Sequence, residues 1–238
     1  MTSSLSGLHC VVTGGAGGIG RAVTELLLAR GAKVSALGRS QDKLDALMAD
    51  NKDTDLAAIA CDVRSEESVQ AAFASARKRF GPIAVLVNNA GVGIPTPDLA
   101  TTDVSAFDAM FETNVRGSFL CGREAFADMK SGGSGHIINL VSMAGHKTNP
   151  GAPLYCASKF GQRGYNSGLA DQALAAGIRV SEVSPGAVDS DYWGDREVPR
   201  QKFLQTKQVA EVVLWVLEQP AGVNIHDVRL EALAMFKK

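Results

Sequence analysis

Tyr155 and Lys159 lie four residues apart in a segment whose pattern predicts a helix, so both side chains face the same side of it. A tyrosine with a pKa of about 10 is a poor base at neutral pH, and lowering this pKa by about 3 pH units requires about 4 kcal/mol. An ammonium group at about 4 Å supplies roughly 4 kcal/mol at an effective dielectric constant of about 20. The pair therefore predicts a tyrosine that gives or takes a proton, assisted by a lysine.

A second chemical signal is the glycine-rich turn of residues 13–20, which reads TGGAGGIG. A predicted strand precedes it and a predicted helix follows it. In this context glycines allow backbone N–H groups and a helix N-terminus to approach a pyrophosphate. The turn predicts a dinucleotide site, and a purely structural turn is the alternative.

The residues after the second predicted strand indicate which dinucleotide binds. An acidic residue about twenty positions beyond the glycines binds the ribose hydroxyl of NAD in sites of this kind. Gly38 occupies that place here, and Arg39 and Ser40 follow it. A guanidinium and a hydroxyl favour a 2′-phosphate, which a carboxylate would repel. We expect NADP(H) to be preferred, with NAD(H) still possible; the alternative is that Arg39 only opens the next helix.

The elements that carry these residues alternate between short apolar strands and amphipathic helices. The predicted strands are Leu8–Thr13, Lys33–Leu37, Leu56–Ala60, Ile83–Val87, His136–Val141, Ile178–Val183 and Asn224–Leu230. The clearest predicted helices are Gly18–Arg30, Ser65–Phe80, Thr102–Lys130, Leu154–Ala176 and Gln208–Glu218. This order predicts an α/β protein with a single-domain, Rossmann-like doubly wound fold. Its sheet is expected to be seven-stranded and mostly parallel, with helices on both faces.

A chain of 238 residues is expected to form one domain, 1–238. Residues 186–207 show weak periodicity, and an irregular segment of this length in a compact domain is often functional. We interpret it as a substrate lid. Its Tyr192 and Trp193 either contact an apolar substrate or pack the lid down, and the sequence leaves this choice open.

Composition argues against several classes of partner and site. The net charge of −1 gives no surplus to bind nucleic acid or an anionic membrane. No apolar run approaches the roughly 18 residues of a membrane span, and residues 1–6 do not resemble a secretory signal, so a cytoplasmic protein is expected. The four cysteines lack the spacing of a zinc site or a disulfide framework and are expected to be reduced. The four histidines show no metal-binding spacing.

Further motifs follow the glycine turn in a fixed order. They are Cys61-Asp62-Val63, Asn88-Asn89-Ala90-Gly91, Thr113-Asn114-Val115, Val141-Ser142, Tyr155-x-x-x-Lys159 and Pro185-Gly186. With these motifs the sequence resembles the short-chain dehydrogenase/reductase family over nearly its whole length, from Leu8 to about Leu230. It departs from the family pattern in two places. Ser190 stands where the family has a threonine, and Asn224–Leu230 lacks the Val-Asp-Gly-Gly signature of many members.

The resemblance implies an oxidoreductase that interconverts a small-molecule carbonyl and an alcohol by hydride transfer. It implies a catalytic set of Asn114, Ser142, Tyr155 and Lys159, in which Asn114 holds a relay water and Lys159 also bonds the nicotinamide ribose. The implied cofactor-binding residues are Thr13, Gly14, Gly18, Ile19, Gly20, Arg39, Ser40, Asp62, Val63, Asn89, Ala90, Gly91, Tyr155, Lys159, Pro185, Gly186, Val188 and Ser190. It also implies a homodimer or homotetramer formed through the two longest helices.

Two other functions stay open at this stage. One is a non-catalytic NADP(H)-binding regulatory or sensor protein, because a fold does not fix a function. The other, a nucleotide-using methyltransferase, is disfavoured because it would need neither the Tyr-x-x-x-Lys pair nor Arg39. The substrate depends on residues 186–207 and on scattered positions such as Met143 and His146, which form no recognisable pattern.

Overall fold

The computed structural model describes residues 4–236; the remaining residues of the predicted domain, 1–3 and 237–238, lie outside the described residues. Nine strands alternate with seven α-helices among the described residues. The strands are β1 His9–Thr13, β2 Lys33–Gly38, β3 Leu56–Ala60, β4 Val85–Asn88, β5 Gly135–Leu140, β6 Ile178–Pro185, β7 Val188–Asp189, β8 Leu204–Gln205 and β9 Asp227–Leu230. The helices are α1 Gly18–Ala29, α2 Gln41–Asp50, α3 Glu66–Phe80, α4 Val104–Phe111, α5 Gly117–Gly132, α6 Pro153–Leu174 and α7 Thr206–Leu217.

Seven of the strands form one sheet in the order β3-β2-β1-β4-β5-β6-β9, and every neighbouring pair in it is parallel. The predicted fold class is confirmed. The two remaining strands, β7 and β8, pair with each other inside residues 186–207, a segment that the sequence had predicted to be irregular. This short pairing joins the two ends of the predicted lid.

Helices cover the sheet on both faces, and successive side chains of β1 point alternately into the two helical layers. Cys10 and Val12 belong to an apolar cluster that includes side chains of α1, α2 and α7. Val11 points the other way, into a cluster built with α3, α5 and α6. Because all three residues are fully buried, the strand can be apolar throughout, as expected of a parallel strand with helices on both sides.

The strand order reverses at β1, which lies between β2 and β4. Connections that leave β1 and β4 therefore turn to opposite sides, and a crevice opens at the carboxyl ends of these two strands. Ligands of open α/β sheets bind in this position. The glycine-rich turn follows β1 and the Asn-Asn-Ala-Gly motif continues from β4, so both predicted cofactor motifs border the crevice.

One predicted helix is continuous but not regular. Helical backbone runs over 104–132, close to the predicted segment Thr102–Lys130, but a π-helical stretch, Glu112–Arg116, lies between α4 and α5. A π-helical turn holds an extra residue, which disturbs the 3.6-residue period on which the prediction relied. Such turns occur often at functional sites, and this one contains Asn114. The sequence analysis also did not single out α2, a short helix that is weakly amphipathic.

Two expectations from composition can be compared with the described residues. All four cysteines, Cys10, Cys61, Cys121 and Cys156, are buried and free among the described residues. Between residues 4 and 236, no helix combines the length and apolarity needed to cross a membrane.

Candidate active site

Tyr155 lies in the first turn of α6, where Pro153 starts the helix. The Ser142 hydroxyl, which lies just beyond β5, neighbours the Tyr155 phenol and acts to lower its pKa. The Ser142 hydroxyl also accepts a hydrogen bond of 3.1 Å from the Ala144 backbone N–H, so its position is fixed. Two hydroxyl-bearing side chains from different elements thus lie at the carboxyl edge of the sheet, and their catalytic role stays a prediction.

Lys159 is one helical turn beyond Tyr155, and its Nζ lies 6.0 Å from the centre of the Tyr155 ring. Its ammonium is buried and donates hydrogen bonds to the Leu140 carbonyl (3.2 Å) and to Oε1 of Gln162 (2.8 Å). Burial lowers the pKa of Lys159 to about 7, although the Glu182 carboxylate acts in the opposite direction. The lysine is therefore balanced between its charged and neutral forms near neutral pH.

The pKa of Tyr155 departs from the sequence-based expectation. Burial raises the pKa of the Tyr155 phenol, and the Ser142 hydroxyl offsets only part of this effect. The neighbouring Tyr192 raises this pKa further, while the Lys159 ammonium, which donates to two neutral oxygens, is not among the groups that shift it. Among the protein's own groups, desolvation outweighs the lysine charge on which the sequence argument rested.

Asn114 is fully buried in the π-helical stretch, and its amide is committed to protein partners. Oδ1 accepts a 2.8 Å hydrogen bond from the Val92 N–H. Nδ2 donates to the Val92 carbonyl and to the Ser158 hydroxyl, both at 2.9 Å. Asn114 therefore ties the chain after Gly91 to α6, close to Lys159. Its role with a relay water stays a prediction.

The glycine turn is locked against the end of β4 by close backbone contacts. Thr13 Oγ1 accepts hydrogen bonds from the N–H groups of Asn89 and Ala90, both at 3.0 Å. Asn89 returns a 2.9 Å hydrogen bond from Nδ2 to the Thr13 carbonyl. A Cβ atom on Gly20 would lie 2.2 Å from the Gly14 carbonyl oxygen, so only glycine fits there. The turn's shape thus follows from its sequence.

The first turn of α1 offers its backbone N–H groups to a ligand. Gly17 provides no side-chain cap for this helix, whereas Ser40, Ser65 and Asp103 cap α2, α3 and α4. The uncapped N–H groups carry the positive end of the helix dipole. This end borders a cleft of about 370 Å³, lined in part by Gly18. The donor set fits the diphosphate of a dinucleotide.

Arg39 and Ser40 lie at the end of β2, at the mouth of the crevice. The Ser40 hydroxyl accepts a hydrogen bond from the Lys43 N–H and caps α2. The exposed Arg39 guanidinium has no ion-pair partner within residues 4–236, so it is available to an anionic ligand. Asp62 follows β3, and its carboxylate binds Arg64 at 2.7 Å, which lowers the pKa of Asp62. The predicted adenine and ribose residues thus lie on adjacent strands.

Two basic residues that the sequence analysis did not select also line the cleft, Arg21 and Lys43. Lys43 binds Asp191 of the lid at 2.7 Å, while Arg21 pairs with Glu25 and Asp50. Arg21 directly follows the glycine turn, and Lys43 lies in the first turn of α2. Position near a helix N-terminus was the available signal for both.

The residues predicted beyond β6 also reach the crevice. Pro185 ends β6, and the Gly186 N–H donates to the Leu230 carbonyl at 2.8 Å. Ser190 lies opposite the glycine turn: a Cβ atom on Gly18 would lie 3.5 Å from the Cβ of Ser190. Val188 is buried in β7 and holds the lid through its carbonyl, which accepts from Trp193 Nε1 at 2.8 Å.

The remaining predicted cofactor residues have packing contacts that place them around the same edge. Ile19 packs against the cluster between α1 and α7, and Val63 is buried against Gly117 at the start of α5. A Cβ atom on Gly91 would lie 3.5 Å from Lys159 Nζ, so the Asn-Asn-Ala-Gly motif reaches the catalytic helix.

His146 does not line the site, although the sequence left that role open. Its Nε2 is 2.8 Å from Glu182 Oε1 and 3.1 Å from Ser184 Oγ, so the ring turns into β6. The fold also brings Asp227 near this pair, with candidate ligand atoms within 4.8 Å of one another. Sequence spacing could not show this grouping. Arg163, 3.7 Å from Glu182, contributes a compensating charge.

Comparison with known proteins agrees with this geometry. The sequence profile described as short chain dehydrogenase matches residues 8–200. The chain belongs to the short chain dehydrogenase family. An uncharacterized oxidoreductase of Staphylococcus saprophyticus is 34% identical over 221 residues, which cover 92% of this chain and 94% of the relative. This short chain dehydrogenase is accordingly an oxidoreductase by family.

Solved structures are similar to this short chain dehydrogenase over almost its full length. A closed serine dehydrogenase complexed with NADP+ has a TM-score of 0.87 and 27% identity, covering 95% of both chains. A 3-ketoacyl-(acyl-carrier-protein) reductase from Brucella melitensis, complexed with NADH, has a TM-score of 0.90 and 25% identity, covering 96% of this chain and 98% of the other. These similar proteins bind nicotinamide cofactors of both kinds.

Proposed function

We propose that this protein is an NADP(H)-dependent oxidoreductase that interconverts a ketone or aldehyde and an alcohol, with Tyr155 as the general acid/base. The observation that carries the proposal is the meeting of the Tyr155 and Ser142 hydroxyls at the crevice that the glycine turn borders. Lys159 and Asn114 are buried directly behind them. Such a set can hold a carbonyl oxygen and transfer one proton to it.

Each residue has a specific part in this scheme. Ser142 and Tyr155 donate hydrogen bonds to the substrate oxygen, and Tyr155 passes its proton to that oxygen during reduction. A bound nicotinamide cofactor supplies or accepts the hydride at the substrate carbon. Lys159, whose ammonium is only one turn away, binds the cofactor ribose and favours the ionised phenol. Asn114 keeps the chain after Gly91 in place beneath the substrate, with the relay water as its second role.

The cofactor preference follows from Arg39 and Ser40 at the end of β2, where no carboxylate occupies the position that would bind the ribose hydroxyl of NAD. The free guanidinium of Arg39 is suited to a 2′-phosphate. The similar serine dehydrogenase complexed with NADP+ supports this preference, and the complex of the Brucella reductase with NADH keeps NAD(H) as the weaker alternative.

We further infer one cofactor-binding domain over 1–238, with residues 186–207 as its substrate lid. A cytoplasmic homodimer or homotetramer that acts on a small molecule is part of the same proposal. Phe107 and Phe119 of α4 and α5 support self-association, because they are 41% and 44% exposed. Met110, also on α4, is fully buried and does not belong to this surface.

Thermal unfolding with NADPH, with NADH and without cofactor tests the proposal. A ligand at about 100 times its dissociation constant adds roughly 2.7 kcal/mol, so NADPH should raise Tm clearly more than NADH. Arg39→Glu should remove this difference. Lys52→Glu is the matched charge reversal, just beyond the far end of α2, and should retain it. Equal stabilisation by both cofactors would contradict the role of Arg39, and no stabilisation by either would favour a function without nicotinamide.

A further inference from the structure

Tyr192 of the lid reaches the catalytic tyrosine. It lies in a short 3-10 turn, Asp191–Trp193, that follows β7. Its ring centre is 6.1 Å from that of Tyr155, and its hydroxyl and Cδ2 of Tyr155 both lie against Gly93. The residue as a whole is 37% exposed, so its outer edge meets solvent while its hydroxyl enters the site. Tyr155 therefore has a polar neighbour on each side, Ser142 and Tyr192.

Gly93 provides the space for the Tyr192 hydroxyl. A Cβ atom on Gly93 would overlap this hydroxyl oxygen and would lie 3.0 Å from Cδ2 of Tyr155. The backbone of Gly93 does not adopt a positive φ, so its own conformation does not require a glycine. The absence of a side chain here is explained by the approach of Tyr192. Two segments about a hundred residues apart thus fit together over Tyr155.

The adjacent lid residues hold Tyr192 in this place. Trp193 turns away from the site, packs against Phe203 with ring centres 5.1 Å apart, and donates through Nε1 to the Val188 carbonyl. The Arg196 guanidinium lies 5.0 Å from the ring centres of both Tyr192 and Trp193. The sequence left open whether Tyr192 and Trp193 contact the substrate or pack the lid. The two residues differ in this respect, because Trp193 packs within the lid and Tyr192 faces Tyr155.

Substrate binding must change the partners of Tyr192. Under the proposed function, on which this inference rests, the substrate oxygen binds to Ser142 and Tyr155 and takes the place beside Tyr155 that the Tyr192 hydroxyl now holds. The displaced hydroxyl stays close, because Trp193 and Arg196 fix the lid. It then needs a new partner, because its oxygen lies against Gly93 on the side of Tyr155, away from the exposed edge of the ring, and an unpaired hydroxyl there is unfavourable. A polar atom of the substrate next to its reacting carbon would supply that partner.

We propose that Tyr192 is a specificity-determining residue, which selects carbonyl substrates with a hydroxyl or second carbonyl oxygen on the carbon next to the reacting carbon. The Tyr192 hydroxyl binds this second oxygen while Ser142 and Tyr155 bind the first. A substrate with a methyl group in the same place leaves the hydroxyl of Tyr192 unpaired, and a site built for a hydrogen bond rejects such an analogue strongly.

Hydroxyacetone and 2-butanone make a matched pair for the test, because they differ only by a hydroxyl in place of a methyl group. We expect kcat/KM for NADPH-dependent reduction to favour hydroxyacetone in the native protein. In Tyr192→Phe this preference should fall at least about 10-fold, while the turnover of 2-butanone changes by less than about 3-fold. Comparing the ratio between proteins removes the higher intrinsic reactivity of hydroxyacetone. An unchanged ratio in Tyr192→Phe would overturn the inference.

Tyr165→Phe is the control, because it removes another phenol hydroxyl of a half-buried tyrosine, which lies on α6 and contacts Gly122 of α5 rather than Tyr155. It should keep the native ratio. If neither compound is turned over, ligand-observed NMR can measure their dissociation constants in the presence of tetrahydro-NADP, an analogue that cannot deliver hydride. The ratio of the two dissociation constants then replaces the ratio of the two kcat/KM values. If this ratio were the same in the native protein and in Tyr192→Phe, the inference would be overturned as well. Failure of the proposed function looks different, since no carbonyl would then be reduced and Tyr155→Phe would change nothing.

Discussion

The glycine turn, residues 13–20, and the lid, residues 186–207, border the same crevice, but different interactions hold them in shape. In the glycine turn, backbone atoms and the buried side chains of Thr13 and Asn89 contact each other closely, and glycine is required where a Cβ would overlap. In the lid, short turns are held by partly exposed aromatic and charged side chains such as Trp193 and Arg200. The glycine turn is therefore held by backbone contacts that require glycine, whereas the lid is held by side-chain contacts that its sequence does not reveal.

The largest expected effect is on catalysis alone, with cofactor binding at the glycine turn unchanged. Tyr155→Phe should lower kcat by about 10²–10⁴-fold, because loss of a general acid/base has this size of effect. The thermal stabilisation by NADPH should remain, since the glycine turn and Arg39 are untouched. Steady-state kinetics and thermal unfolding measure the two effects separately. Parallel loss of both would mean that the Tyr155 hydroxyl also shapes the cofactor edge.

Lys159→Met tests whether burial of a charge at the catalytic edge costs stability. The pKa of Lys159 is lowered to about 7 from its ordinary 10.5, so between these values the unfolded chain binds more protons than the folded protein. Native stability should therefore rise with pH through this window, and the cost is complete below pH 7. Lys159→Met should stabilise the cofactor-free protein by about 1–3 kcal/mol at pH 6, and by less towards pH 10.

Urea unfolding at several pH values measures this gain, with the exposed Lys52→Met as the matched control. A gain of the same size at every pH would contradict the titration argument, since an apolar packing effect does not depend on pH. The gain in stability would then come from better packing of the methionine side chain rather than from removal of the buried ammonium.

Gly20→Ala tests the rigidity of the glycine turn. The new Cβ would lie 2.2 Å from the Gly14 carbonyl oxygen and 2.4 Å from Asn89 Nδ2, so backbone must shift. We expect a loss of about 1–3 kcal/mol, as for overpacking, together with weaker stabilisation by NADPH. Gly168→Ala, in α6 with open space around it, should instead stabilise by about 0.5–1 kcal/mol. Denaturant unfolding that gives both variants the same sign would contradict this account of the turn.

The same contrast explains how much the sequence revealed. Residues Thr13–Gly20, Asn89, Ser142 and Tyr155 lie at or just beyond strand ends or in the first turn of a helix. Alternation and spacing predicted these elements and the glycine turn, whereas Asn89 and Ser142 were predicted from the family resemblance. The role of Tyr192 was not predictable, because its contact with Tyr155 depends on the space left by Gly93, which is about a hundred residues away. The pKa direction of Tyr155 was missed for a similar reason, since burial is a property of the folded surroundings.

The smallest expected effect concerns the one ion pair that joins Lys43 of α2 to Asp191 of the lid, at 2.7 Å. Both side chains are more than half exposed, and such pairs contribute about 0.2–1 kcal/mol. Asp191→Asn should therefore change the free energy of unfolding by less than about 1 kcal/mol. It should nevertheless strengthen NADPH binding slightly, because Lys43 lines the phosphate cleft and would lose a competing carboxylate. Titration calorimetry at low and high salt measures this gain, which salt should diminish. A large loss of stability would mean that the lid contributes as much to the stability of the fold as the glycine turn does, and the two regions would not differ in this way.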